Sequence, residues 1–107
     1  MKQLDNLDAV NGTSWHGHYV TTTVNKLKEV CGTPYYGHPD DKVQHEWTMA
    51  TEDGTPFTIY DWKEYRHYEN YEKIEWHIGT ENRFGSKKAY EALHRAFHLH
   101  PKINYNI

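Results

Sequence analysis

The fold is decided by the stretch VQHEWTMATEDGTPFTIYDWK, residues 43–63. Apolar and polar residues alternate on both sides of Asp53 and Gly54. A turn dipeptide between two alternating runs is typical of a β-hairpin. The stretch therefore predicts two antiparallel strands joined at this turn.

The register of the hairpin follows from the side chains that each turn would bury. A two-residue turn at Asp53 and Gly54 mixes apolar and polar side chains on both faces, because a one-residue slip turns every side chain over. A three-residue loop over 52–54, with Gly54 left-handed at a bulge, pairs the apolar residues with one another. We therefore expect a buried face that carries Val43, Trp47, Met49, Phe57 and Ile59.

Further elements lie on both sides of the hairpin. Apolar residues at helical spacing predict helices over 23–31 and 86–99, and alternation predicts a strand over 73–80. Residues 17–22 are β-branched and aromatic, which suits a short strand. Residues 63–72 show no clear period, so we interpret them as a protruding loop or a frayed extension of the hairpin.

These elements predict an α+β fold with a three-stranded antiparallel sheet, a candidate fourth strand near the N-terminus, and two helices packed on one face. A chain of 107 residues suits one domain, so we expect a single domain over 1–107. Residues 1–16 are interpreted as an N-terminal arm and 101–107 as a C-terminal tail.

Charge and cysteine content narrow the functional classes. The chain has 12 Lys+Arg against 15 Asp+Glu and a net charge of -3, which argues against general coating of DNA because that needs clustered cations. The one cysteine, Cys31, cannot form an internal disulfide. No apolar stretch reaches the length of a signal-peptide core or a membrane span, so we expect a cytoplasmic protein without a membrane partner.

Large rings are predicted on the sheet face that the helices leave open. Exposed Tyr and Trp among charges serve as anchors in protein interfaces, and they also stack on nucleobases. The alternative is a tyrosine-rich hairpin that packs on itself. The candidate partner-binding residues are Glu46, Tyr60, Trp62, Tyr65, Tyr68, Tyr71, Glu75 and His77.

Histidines and carboxylates supply weak candidates for chemistry. The predicted register makes His45 and Asp61 neighbours at the end of the buried face, where they could act as metal ligands or as a general base. The alternative is a hydrogen-bonded pair that closes the edge of the core. A metal-dependent hydrolase would use His45, Asp61, Glu46 and His77, although no zinc or phosphate-binding motif is present and we expect no cofactor.

Between residues 20 and 97 the chain resembles a set of small bacteriophage-encoded accessory proteins. The shared pattern comprises GTP at 32–34, KV at 42–43, EW at 46–47, DGT at 53–55, TIYDWK at 58–63, WHIG at 76–79 and SKKA at 86–89. Most of these proteins have no assigned role, and the assigned members of this size class tend to antagonise host defences, either by occluding a CRISPR effector or another immune protein, or by sequestering a nucleotide messenger.

The resemblance implies a non-enzymatic inhibitor that binds a host defence protein in the host cytoplasm. The alternative is a sponge for a nucleotide ligand, in which Trp62 or Tyr60 stacks on the base. The phosphates of such a ligand would need cations, for which the candidates are Lys63, Arg66, Lys73 and Arg83.

Overall fold

A computed structural model describes residues 1–5, 10, 12–36, 43–64 and 66–98. It confirms the α+β class. The strands are β1 (Lys2–Gln3), β2 (Ser14–Thr22), β3 (Tyr35–Tyr36), β4 (His45–Ala50), β5 (Pro56–Tyr60) and β6 (Ile74–Thr80), and the helices are α1 (Val24–Cys31) and α2 (Arg83–His98). Within these ranges, neither helix combines the length and the apolar character that crossing a bilayer requires.

The antiparallel sheet has the strand order β1-β4-β5-β6-β2, and β3 also pairs with β4. The prediction of three strands was therefore wrong. The candidate fourth strand is present as β2, a nine-residue strand that begins at Ser14 rather than Gly17. Strands β1 and β3 are two-residue segments, too short to show any alternation in the sequence. The predicted arm over 1–16 thus contains β1 and the start of β2.

The predicted register of the central hairpin is confirmed, with Trp47 opposite Ile59. The backbone N–H of Thr51 donates to the carbonyl of Thr55 at 2.9 Å, which closes the predicted loop over 52–54. Gly54 adopts a φ of 89°, in the left-handed region that the bulge requires.

The first helix matches its prediction and the second begins earlier than predicted. Thr23 caps α1 by accepting a hydrogen bond from the backbone N–H of Lys26 at 3.1 Å. Helix α2 begins at Arg83 because the Asn82 side chain accepts from the N–H of Gly85 at 2.9 Å. The predicted start at Ser86 was wrong, since that residue is buried inside the helix.

Both helices pack against the same face of the sheet. Val24 and Leu27 of α1 and Leu93 and Phe97 of α2 join one core with the apolar sheet residues. The sheet contributes Val20, Trp47, Met49, Phe57, Ile59, Ile74, Trp76 and Ile78 to this core. We call the opposite side the reverse face; it carries Tyr19, Thr48, Thr58, Tyr60 and His77.

Candidate functional site

Five aromatic side chains form a continuous group on and beside the reverse face, which we call the ring cluster. It consists of Trp15, Tyr19, Tyr60, Trp62 and His77. Three neighbouring strands supply it, since β2 holds the first two rings, β5 holds Tyr60 and β6 holds His77. Trp62 lies just beyond the end of β5.

His77 lies at the centre of the ring cluster. Its ring centroid is 4.9 Å from that of Trp15, with an angle of 21° between the planes. It is 6.3 Å from Tyr19 and 5.5 Å from Tyr60, which meets it edge to face. Tyr60 in turn contacts Trp62 edge to face at 6.2 Å. These are the stacked and edge-to-face geometries that aromatic pairs prefer.

Strand register brings the rings together. Tyr19 and Tyr60 are the cross-strand partners of His77 on its two sides. A bulge lies between Trp15, which pairs with Gly79, and Tyr19. Across this bulge four residue steps of β2 span two of β6, and the rings of Trp15 and His77 stack there.

Gly79 leaves room for the Tyr60 ring. A Cβ at Gly79 would lie 2.5 Å from the Thr58 hydroxyl oxygen and 3.2 Å from Cε1 of Tyr60. The backbone of β6 is therefore approached closely by side chains of β5, and only glycine permits this approach.

Three of the five rings are open to solvent. The exposed fractions are 44% for Trp15, 44% for Tyr19 and 41% for Trp62. Tyr60 and His77 are half-buried beneath them. Contiguous exposed apolar surface is a common feature of interaction sites.

Part of the reverse face is covered. Thr48 is fully buried, and its hydroxyl donates to the carbonyl of Leu4 at 2.9 Å. Thr13 approaches the face at Gly79, where its hydroxyl oxygen would lie 3.7 Å from an added Cβ. The accessible part of the face is therefore the region around the ring cluster.

Carboxylates border the ring cluster. Burial raises the pKa of Tyr60, and the negative charge of Glu46, its partner across β4 and β5, raises it further. Burial lowers the pKa of His77, while Glu75 opposes this effect. Burial therefore favours the neutral forms of Tyr60 and His77, and a carboxylate acts on each of them.

A cation already contacts one of the rings. The ammonium of Lys63 lies 5.6 Å from the ring centroid of Trp62, within the range of a cation–π interaction. Lys63 reaches this position with a φ of 56°, which is uncommon for a residue other than glycine.

The predicted binding residues do not all lie at this site. Tyr60 and His77 belong to the ring cluster, as does Trp62, and Glu46 and Glu75 share their face by strand parity. Tyr68 does not, because only 3% of it is exposed and it is part of the core, so its predicted surface role was wrong. Tyr71 is 73% exposed in the turn before β6. Tyr65 lies outside the described residues.

Two residues of the ring cluster, Trp15 and Tyr19, were missed by the sequence analysis. The interpretation of 1–16 as an arm removed Trp15 from consideration. Tyr19 stood in the predicted strand over 17–22, but nothing local in the sequence shows that this strand pairs with β6. Successive side chains of a strand point to different faces, so the apolar Val20 on the core side could have placed Tyr19 on the face away from the core.

His45, Asp61 and Tyr68 form a hydrogen-bonded group on the helix side of the sheet. Asp61 is fully buried, and its Oδ1 accepts from the backbone N–H groups of Gln44 at 2.8 Å and His45 at 3.0 Å. Its Oδ2 accepts from the Tyr68 hydroxyl at 3.1 Å. That hydroxyl lies 2.7 Å from Nδ1 of His45 and, because its proton is directed to Asp61, accepts from it.

This group closes the edge of the core. The sequence analysis gave such a role as the alternative for His45 and Asp61, and the structure adds Tyr68 as a third member. Burial lowers the pKa of His45, although Asp61 opposes this effect and Lys28 adds to it. Burial also raises the pKa of Tyr68. The described residues between 63 and 72 belong to neither a helix nor a strand, as the loop interpretation expected, but the burial of Tyr68 ties this loop to the core.

The arrangement does not assemble the hydrolase constellation. His45 and Asp61 lie on the helix side of the sheet, whereas Glu46 and His77 lie on the reverse side. Across the described ranges, no three His, Cys, Asp or Glu side chains gather closely enough to hold a metal ion.

One of the cations suggested for a nucleotide sponge is engaged by carboxylates. A guanidinium nitrogen of Arg66 lies 3.0 Å from Glu72, and another lies 3.8 Å from Glu64. Lys63 faces Trp62, the very ring on which a base would stack.

Comparisons of the chain with protein-family models, with curated proteins and with solved structures found no significant match. The function is therefore argued from the geometry of the ring cluster.

Proposed function

We propose that this protein is a binding protein that docks onto a basic surface of another protein through the ring cluster. The observation that carries the proposal is the continuous contact of five rings on and beside one sheet face, three of them more than two-fifths exposed. Tyr and Trp supply large buried area with little loss of side-chain freedom, which is why they dominate binding hot spots.

The charges beside the rings favour a cationic partner. Glu46 and Glu75 share the reverse face with Tyr60 and His77, and they would repel the phosphates of a nucleic acid. Arginine side chains suit both features, because a guanidinium stacks on aromatic rings and pairs with carboxylates. The contact between Lys63 and Trp62 supports this preference within the molecule itself.

The resemblance to phage accessory proteins supports a host defence effector as the partner. Nucleases of such systems keep a basic groove for nucleic acid, and an acidic and aromatic surface is complementary to such a groove. Under this proposal the protein inhibits without catalysis, by occupying the groove.

The experiment is capture of partners from a bacterial lysate, followed by binding measurements with the purified partner. The test variant is Trp15→Ala with Trp62→Ala, and the control is Phe84→Ala, which removes a ring that is 82% exposed on α2. We expect the double variant to lose the partner and the control to retain it. Equal affinity for both would refute the proposal.

A thermal-shift assay with cyclic dinucleotides tests the sponge separately. A ligand at about 100 times its Kd adds about 2.7 kcal/mol to the free energy of unfolding of the form that binds it. We expect no shift in Tm. A saturable increase in Tm would favour the nucleotide sponge over a protein that binds another protein.

A further inference from the structure

Two histidines share one side of α2 at its C-terminal end. The helix ends with the residues HRAFH at 94–98, so His94 and His98 are four positions apart. Side chains at this spacing lie one above the other on a helix, and zinc enzymes use the same spacing to bring two imidazoles to one ion. His98 is exposed and His94 is partly exposed, so solvent reaches both side chains.

The surroundings of the pair restrain one ring and leave the ring nitrogens available. The ring centroid of His94 lies 4.3 Å from that of Tyr90, about one turn earlier on the helix, and this contact limits the rotation of the imidazole. Burial lowers the pKa of His94 and the positive charge of His98 lowers it further, so the two side chains lie near each other. Within the described ranges, neither imidazole donates or accepts a hydrogen bond.

Most other histidines in the described part of the chain already have a polar partner for a ring nitrogen. The partners are Thr80 for His16, Ser86 for His18, Tyr68 for His45 and Glu69 for His67. His77 belongs to the ring cluster. The pair at the end of α2 therefore differs from these histidines, because it offers two imidazoles on one helix face without such partners.

The place of the pair in the fold favours a cation over an anion. The C-terminal end of a helix carries a partial negative charge, because its last carbonyl groups have no partner within the helix. Helix α2 is sixteen residues long and ends at His98, so the pair lies at this negative end. The adjacent Arg95 projects about 100° around the helix axis from His94, which leaves the line between the two imidazoles open.

We propose that His94 and His98 together bind one divalent ion of a late first-row transition metal, with Cu²⁺ bound most tightly. Neutral imidazole nitrogens are good ligands for Cu²⁺, Ni²⁺ and Zn²⁺, and affinity in this series is highest for Cu²⁺. Mg²⁺ prefers oxygen ligands and does not compete. Two protein ligands leave the other coordination positions to water, so this is an open surface site rather than a closed structural one.

The test is calorimetric titration of Cu²⁺ into the full chain at about pH 7.5, where an unperturbed imidazole is neutral. The test variant is His98→Gln, which keeps a polar side chain at the exposed end of α2. The matched control is His67→Gln, which removes an exposed imidazole outside both helices. Nuclear magnetic resonance locates the ion, because Cu²⁺ broadens the signals of nearby amides. Circular dichroism checks that both variants remain folded.

We expect the wild type and His67→Gln to bind Cu²⁺ equally well, with broadening at the C-terminal end of α2. His98→Gln should bind about a hundredfold more weakly there, because a second ligand on the same helix acts at a high effective concentration. Ni²⁺ and Zn²⁺ should bind at the same place with lower affinity, and Mg²⁺ should change nothing.

Equal affinity of the wild type and His98→Gln for Cu²⁺ would overturn the inference. So would broadening confined to other histidines, or the same response to Mg²⁺ as to Cu²⁺. Helix α2 packs on the side of the sheet opposite the reverse face, so none of these results bears on the ring cluster as a partner site.

Discussion

His77 stacks on Trp15 across the pairing of β6 and β2, with their ring centroids 4.9 Å apart. Such a pair contributes about 0.5–1.5 kcal/mol beyond the area it buries. Because His77 also contacts Tyr60, the stack ties the rings of β2 to those of β5 before any partner arrives. Rings that are already fixed lose little entropy on binding, and this favours affinity.

Partner binding is expected to weaken with salt, and Glu75→Gln is expected to reduce that dependence. Glu75 is exposed on β6 and its negative charge acts on His77 at the centre of the ring cluster. Charges at the border of an interface act mainly on the association rate. The measurement is the association rate against salt concentration, with Glu91→Gln on the exposed side of α2 as the control. Identical salt dependence in wild type and Glu75→Gln would contradict the electrostatic part of the proposal.

Tyr68→Phe is expected to lower the free energy of unfolding by about 1–3 kcal/mol, because it removes the hydroxyl that donates to Oδ2 of the buried Asp61 carboxylate. The ring itself stays, so packing in the core is preserved. Denaturation with urea measures the effect. Tyr71→Phe is the control, since Tyr71 is 73% exposed, and it should change nothing. Equal stability of the two variants would show that the hydroxyl of Tyr68 is not needed.

The protein is expected to lose stability as the pH falls from about 7.5 to about 5.5, the range in which histidine gains charge. Burial lowers the pKa values of His45, His77 and His94 in the folded state. The unfolded chain therefore binds protons at a higher pH than the folded chain, and acid favours unfolding. The contribution of these histidines is complete above their unfolded pKa and declines as the pH falls below it.

The matched variant for this pH dependence is His45→Asn, whose amide can donate to Tyr68 near the position of Nδ1 but does not titrate. We expect a smaller loss of stability between the two pH values than in the wild type. The comparison uses urea midpoints at both pH values. A wild-type stability that stays constant or rises on acidification would contradict the expected direction.

Gly79→Ala is expected to cost about 1–3 kcal/mol, the usual range for overpacking. The new Cβ would collide with the hydroxyl oxygen of Thr58 and press on Tyr60. Thr58→Ala removes the nearer obstacle, so the double variant should be more stable than the sum of the two single changes predicts. Chemical unfolding of all four proteins measures this coupling. If the two changes in the free energy of unfolding simply add, the Cβ at position 79 does not press on Thr58.

The sequence was sufficient where the signals were local. Alternation and the turn glycine gave the register of Trp47 against Ile59, and apolar residues at helical spacing gave the position of α1. The start of α2 was missed because Asn82 and Ser86 are both acceptable caps in sequence. Which of them caps the helix depends on the burial of Ser86, whose hydroxyl oxygen lies 2.7 Å from Nδ1 of His18.

The candidate site could be predicted only in part, because half of it depends on pairing between distant segments. Tyr60 and His77 follow from strand parity, whereas Trp15 joins them through the bulge in β2. Tyr68 was misjudged for a different reason. A tyrosine among charges resembles a surface residue, and its burial depends on Asp61 as a buried acceptor, which no sequence pattern announces.

The central claim is that the ring cluster is the surface that a partner covers. Hydroxyl-radical footprinting of the protein, alone and bound to the captured partner, tests it most directly, because Trp and Tyr rings report their own accessibility. We predict strong protection of Trp15, Tyr19 and Trp62 in the complex, with Phe84 on α2 as reactive as before. Protection of Phe84 with unchanged reactivity at Trp15 and Trp62 would contradict the account.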